Sequence, residues 1–156
     1  MKGERKIQIT VVGGRTASAG ILKDAEEVGA LLARRNAVVV CGGMGGVMEA
    51  ACRGAKREGG LTVGILPTGD ASDANDLVDI VIPTDLGVAR NALVVNAGAG
   101  VIAVGGQYGT LSEIAFALQR GIPVVSLKSW HVDERVLKAD TPEKAVETLF
   151  RAIGLT

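Results

Sequence analysis

Six short runs of β-branched and aliphatic residues recur along the chain, at Ile7 to Val12, Ala37 to Cys41, Thr62 to Leu66, Asp79 to Ile82, Val101 to Val104 and Pro123 to Leu127, with helix-period segments between them. A strand that is apolar at every position needs cover on both faces, and a helical crossover between successive strands leaves them parallel. The alternation therefore predicts an α/β fold: a single doubly wound Rossmann-like domain over residues 1–156, with a mostly parallel six-stranded sheet. A chain of 156 residues has room for one such core and not for a second.

The segments between the strands carry helix signatures of their own. Leu22 to Arg35 sets Leu22, Ala25, Val28, Leu31 and Leu32 against Lys23, Asp24, Glu26, Glu27, Arg34 and Arg35. Val47 to Glu58 presents small Ala50, Ala51, Gly54 and Ala55 on one face, so it can lie close against a neighbour. Leu86 to Ala97 reads as a third helix, and Leu111, Ile114, Ala115 and Leu118 give a fourth its stripe. Thr141, Pro142 and Glu143 open the last one with an N-cap, a proline at N1 and an acid in the first turn.

Charge and apolar length exclude several classes. Seventeen Lys and Arg balance seventeen Asp and Glu, so no positive field draws the chain to nucleic acid or to an anionic membrane. No apolar run is long enough to cross a bilayer, and the charged start, Met1 to Lys6, leads into a strand pattern and not a signal peptide, which predicts a cytoplasmic protein. No metal site is predicted. Cys41 and Cys52 lack ligand spacing and read as buried thiols, while Asp70, Asp73, Asp76 and Asp79 do not fit a calcium loop and read as a solvated one. His131, beside Trp130, has no acidic or cysteine partner near it in sequence and reads as a loop residue.

The chemistry is concentrated in glycine. The chain has 22 of them with no collagen period, and three glycine-rich turns follow strands. Gly13-Gly14-Arg15-Thr16 follows the first strand, Gly42-Gly43-Met44-Gly45-Gly46 with nearby Met48 follows the second, and Gly105-Gly106-Gln107-Tyr108-Gly109-Thr110 follows the fifth. None matches G-x-G-x-x-G, and none carries a Walker lysine. Their placement at one end of one sheet, where helix N-termini and bare N–H groups favour anions, predicts a phosphate or pyrophosphate site. The candidate contacts are the glycines of these turns together with Met48, Gln107, Tyr108 and Thr110.

Three segments, Gly42-Gly43-Met44-Gly45-Gly46-Val47-Met48, Gly59 through Pro67, and Gly109-Thr110-Leu111-Ser112-Glu113, stand in the order seen in Lonely guy proteins. These are Rossmann-like enzymes, often labelled lysine decarboxylases, that hydrolyse the N-glycosidic bond of cytokinin nucleoside monophosphates. The chain also resembles their relatives, the molybdenum cofactor carrier proteins, which bind a phosphorylated pterin. The resemblance spans roughly Ile7 to Leu127. It implies a bound nucleotide or pterin phosphate with no other cofactor required, a homodimer or higher homo-oligomer, and a role as carrier or weak hydrolase. The alternatives are a nucleoside 5'-monophosphate phosphoribohydrolase and an assembly protein with no ligand. Surplus apolar residues on Leu86 to Gly98, among them Val88, Leu93, Val94 and Val95, support the oligomer. Lysine decarboxylation is not expected, because Lys56, Lys128 and Lys138 stand in no recognisable Schiff-base context.

By the same resemblance Arg90 meets the substrate, and Glu113 is the catalytic carboxylate that stabilises positive charge on the ribose and helps activate water. The residues themselves leave alternatives open. Arg90 also reads as a surface arginine paired with Asp85, and Thr110-x-x-Glu113 as a capping box. Three departures stand out: Gln107 replaces a glycine of the Pro-Gly-Gly-x-Gly-Thr turn, Arg90-Asn91 replaces Arg-Lys, and Ser112-Glu113 replaces a glutamate pair.

Overall fold

The computed structural model describes residues 3–155; Met1 and Lys2 of the charged leading segment, and Thr156, lie outside the described residues. Strands β1 (Gln8–Gly13), β2 (Val38–Cys41), β3 (Thr62–Leu66), β4 (Ile80–Pro83), β5 (Val101–Val104), β6 (Val124–Leu127) and β7 (Val136–Ala139) form one sheet in the order β4-β3-β2-β1-β5-β6-β7. Every neighbouring pair is parallel. The sheet thus has seven strands where the sequence pattern predicts six. β7 escapes the pattern because it is an edge strand in a charged stretch, with only Val136 and Ala139 buried and Lys138 exposed between them.

Five helices cover the two faces: α1 (Ala19–Arg34), α2 (Val47–Arg57), α3 (Arg90–Ala97), α4 (Tyr108–Arg120) and α5 (Pro142–Ala152). Val28 and Leu32 of α1, Ala51 of α2 and Leu149 of α5 share a core with Ile9, Val11 and Val39 of the sheet. Val94 and Val95 of α3 and Ile114 and Ala117 of α4 pack with Val12, Val40 and Ala103 on the other face. Thr141 caps α5 as its sequence predicts, accepting from the Lys144 amide at 3.2 Å with Pro142 at the helix start.

The predicted third helix, Leu86 to Ala97, divides in two. Asp85 and Gly87 take φ of 55° and 58°, which the α-helix cannot continue through, so Gly87–Ala89 forms a short 3-10 turn and α3 begins at Arg90. In α4 the buried face runs Thr110, Glu113, Ile114, Ala117, while Ala115 of the predicted stripe is exposed. Two polar side chains on the buried face of a helix set the position of the site.

Candidate functional site: a cleft at the β1–β5 switch point

The chain leaves β1 toward β2 on one side, and β5 opens the other half of the sheet, so the strand order reverses between β1 and β5. A crevice forms at such a point beyond the carboxyl ends of the strands. Here it is a cleft of about 450 Å³. Val11 to Thr16 form one wall, Gln107, Gly109, Thr110 and Glu113 another, and Gly42, Met48, Pro67, Gly87, Val88, Arg90 and Asn91 complete it.

Of the sequence candidates, Gly13, Gly14, Gly42, Met48, Arg90, Gln107, Gly109, Thr110 and Glu113 meet in this cleft. Gly43, Gly45, Gly46, Gly105, Gly106 and Tyr108 stand outside its wall. The second glycine turn is held by the protein's own hydrogen bonds: the Val47 amide donates to Gly14 O at 3.0 Å, Asn75 N donates to Gly43 O at 2.9 Å, and the Asn75 side chain donates from Nδ2 to Met44 O at 2.8 Å. Gly42 has a different task. A Cβ there would come within 2.7 Å of both the Arg90 guanidinium and the Met48 sulfur, so the glycine makes room for the arginine.

The start of α4 differs from the capping-box reading. The helix begins at Tyr108 with Gln107 at the N-cap and no side-chain cap, which puts Thr110 in the first turn and Glu113 well inside the helix. The Leu111 amide bonds Gln107 O at 3.0 Å, so the free first-turn amides are those of Tyr108, Gly109 and Thr110. Gly109 and Thr110 both line the cleft, an arrangement suited to an anion.

Arg90 is likewise no surface residue paired with Asp85. It is 8% exposed and its Nη1 lies 3.7 Å from Glu113 Oε1, on a carboxylate that is 7% exposed. Arg90 Nη1 also donates to Asn91 Oδ1, and Asn91 Nδ2 donates to Ser112 Oγ at 3.2 Å. Ser112 Oγ in turn donates to Gly109 O at 2.6 Å, so one hydrogen-bonded chain ties the arginine to the first turn of α4. Two of the three departures from the Lonely guy pattern therefore touch: where that pattern has lysine and glutamate, Asn91 and Ser112 form a neutral hydrogen bond.

Burial decides the electrostatics of the pair. It pushes the Glu113 carboxyl up to about 7, with the Arg90 charge pulling the other way. Burial also lowers the Arg90 pKa, opposed by Glu113. The Arg90 Nε–H is buried and has no hydrogen-bond partner among the described residues. Arg15, on the rim, has no carboxylate within 4.0 Å among them. The cleft thus holds two guanidinium groups against one carboxylate that is half protonated near neutral pH.

Arg15, Thr16 and Asn91 are cleft residues that glycine counting passes over. Arg15 and Thr16 directly follow Gly13-Gly14, and a cation and a hydroxyl in a strand-to-helix turn were the available signal. Cys41 and Cys52 are fully buried with their sulfurs 3.6 Å apart, and the hydrogen bond to Cys41 together with burial pushes the Cys52 thiol up. The aspartates serve structure as well: Asp70 accepts from the Ser72 amide, and Asp79 pairs with Lys56 and accepts from the Thr62 amide. Among the described residues no three His, Cys, Asp or Glu side chains group as a metal site.

A family model described as the SLOG cluster4 family matches residues 6–152. The chain belongs to the SLOG cluster4 family. An uncharacterised protein of Archaeoglobus fulgidus is 46% identical over 140 residues, 90% of this chain and 92% of that one. The molybdenum cofactor binding protein from the phototrophic bacterium Rippkaea orientalis is 39% identical with a TM-score of 0.91, over 97% of this chain and 99% of that one. The molybdenum cofactor carrier protein of Chlamydomonas reinhardtii is 34% identical with a TM-score of 0.86, over 94% and 98% of the two chains. These two structural relatives of the SLOG protein are named for the molybdenum cofactor, and they share its Rossmann-like fold over nearly its whole length.

Proposed function

We propose that this SLOG cluster4 protein binds the phosphorylated pterin of a molybdenum cofactor in the cleft at the β1–β5 switch point and acts as its carrier. The observation that carries the reading is the buried Arg90 guanidinium, with an unpartnered Nε–H, at a cleft that also holds Arg15 and the free amides of Gly109 and Thr110. A cation and a helix start converging on one space suit a phosphate better than a neutral ligand. Similarity to the Rippkaea and Chlamydomonas proteins supports the pterin as the remainder of that ligand.

A second reading, hydrolysis of a nucleoside monophosphate, is favoured by one feature. A carboxyl titrating at about 7 is poised for proton transfer at physiological pH. The neutral Asn91–Ser112 contact weighs against it, because it supplies neither a second positive charge nor a second carboxylate. An assembly role without ligand fits poorly with an open cleft of about 450 Å³ that Arg15, Arg90 and Glu113 line.

Titration calorimetry with a phosphorylated pterin and with AMP, combined with chromatography for released adenine, separates the readings. The carrier reading predicts pterin binding that weakens at least about tenfold in Arg90→Ala and no adenine release. Adenine release that disappears in Glu113→Gln would establish the hydrolase, and no binding of either compound would overturn both.

The proposal includes a homodimer or larger assembly in the cytoplasm. Leu86, Val88 and Leu93 are 51%, 78% and 41% exposed along the 3-10 turn and α3, apolar side chains that a second copy would cover. Light scattering that gives the monomer mass at every concentration would contradict the assembly. No described helix is long and apolar enough to cross a membrane.

A further inference from the structure

The chain has a single tyrosine and a single tryptophan, and the fold sets them side by side at the edge of the cleft. Their ring centroids are 6.1 Å apart with planes at 29°. Tyr108 is 80% exposed although it sits between Gln107 and Gly109, which both line the cleft. Trp130, on the loop after β6, donates from Nε1 to Gln107 O at 3.0 Å. Its loop is fastened to the preceding turn as well, since Ser129 Oγ donates to Gly105 O and the Ser129 amide donates to Ser126 Oγ at 3.1 Å. Trp130 is therefore held in place without a ligand, Tyr108 stacks against it, and a large aromatic face is left open to water.

Folding does not account for that exposure. A tyrosine in this position covers no core, whereas a planar heterocycle laid on it would gain stacking of the kind that aromatic side chains offer to bases. The position also matters: Tyr108 opens α4, so its ring stands at the same helix start whose Gly109 and Thr110 line the cleft. A ligand with its phosphate at those amides has one arm in the cleft and can send a second arm over the lip.

We propose that Tyr108 and Trp130 form a stacking platform for a second ring system, so that the full ligand is dinucleotide-like, with a core in the cleft, phosphates at the start of α4 and a nucleoside base on the platform. This rests on the phosphate-site reading above and adds the chemical class of the outer half.

Two probes differ only in the group at issue. Diadenosine diphosphate and ADP-ribose share adenosine, pyrophosphate and the second ribose, and only the former carries a second base. The proposal predicts that diadenosine diphosphate, which fills the cleft and the platform at once, binds about tenfold or more tightly than ADP-ribose and quenches the single tryptophan's fluorescence. In Tyr108→Ala, checked by its melting curve to be folded, the two probes should bind alike. Equal affinities in the wild type, or a preference that persists in folded Tyr108→Ala, would overturn the platform while leaving the phosphate site standing. Failure of both probes and of AMP to bind would overturn the phosphate site and the platform together.

Discussion

Between α1 and α2, Gly29 and Gly54 bring two backbones together: a Cβ on Gly54 would drive into the Glu26 carbonyl and one on Gly29 into that of Ala51. At the cleft, Gly109 faces open space, with nothing within 4 Å of where its Cβ would stand. The Arg–Glu pairs divide the opposite way. Arg57 reaches Glu26 at 2.7 Å and Glu27 at 3.3 Å across the helix seam with its side chain 46% exposed, while the Arg90 side chain is 10% exposed beside Glu113. Identical residue types thus close a helix packing in one region and line an open space in the other. At the seam the glycines are packed and the ion pairs solvated; at the cleft the glycine is open and the ion pair is stripped of water.

Gly54→Ala gives the largest effect, because two helix backbones must separate to admit one methyl group. A loss of about 3 kcal/mol is expected from overpacking of this kind, read as a melting temperature lower by roughly 6–12 °C. A melting curve unchanged from wild type would show that the seam is looser than its geometry implies.

The buried carboxylate comes next. Glu113 titrates at about 7 in the folded chain against 4.5 ordinarily, so below the lower value the folded and unfolded forms are equally protonated, and its contribution to stability is fully present. Between the two values the folded form holds more protons, and the contribution is lost as pH rises toward and through 7. Glu113→Gln mimics the protonated form; it should melt like wild type near pH 4 and gain on the order of 3 kcal/mol over it at pH 8. Anion binding beside Arg90 should raise the Glu113 pKa further, so wild-type affinity should fall between pH 6 and 8 more steeply than in Glu113→Gln. Calorimetry at the two pH values checks this, and parallel slopes would contradict it.

Gly109→Ala sharpens the contrast with Gly54. The residue is helical and unhindered, so alanine should raise stability by about 0.5–1 kcal/mol while its methyl group intrudes on the cleft and weakens phosphate binding. A fall in stability would mean that the first turn of α4 needs glycine for its own sake. The smallest effect is expected at the solvated seam, where Arg57→Ala should shift the melting temperature by less than about 2 °C, checked by the same scans at low and high salt.

The parallel sheet and the place of the cleft beyond its strand ends were legible because apolar strands and strand-to-helix glycine turns announce themselves locally. β7 was not, since an edge strand half open to water lacks the apolar run. The Thr110 to Glu113 spacing read as a capping box and proved to be two positions on the buried face of α4, because the helix starts at Tyr108. Nor does sequence order reveal that Asn91 and Ser112 meet, 21 residues apart, at 3.2 Å. The glycines of the second turn show the limit most clearly, for Gly42 accommodates Arg90 and Gly46 packs against Gly14 and Arg15, uses that composition alone cannot tell from phosphate binding.

The central claim is that the cleft beside Arg90 holds a phosphorylated pterin. Native mass spectrometry of gently purified protein, incubated with excess molybdenum cofactor and compared with Arg90→Ala treated identically, tests it most directly. A cleft that holds the pterin through Arg90 gives a one-to-one adduct per chain in the wild type and little or none in Arg90→Ala. A wild type that stays bare under excess cofactor, or an Arg90→Ala protein that retains the full adduct, would contradict it.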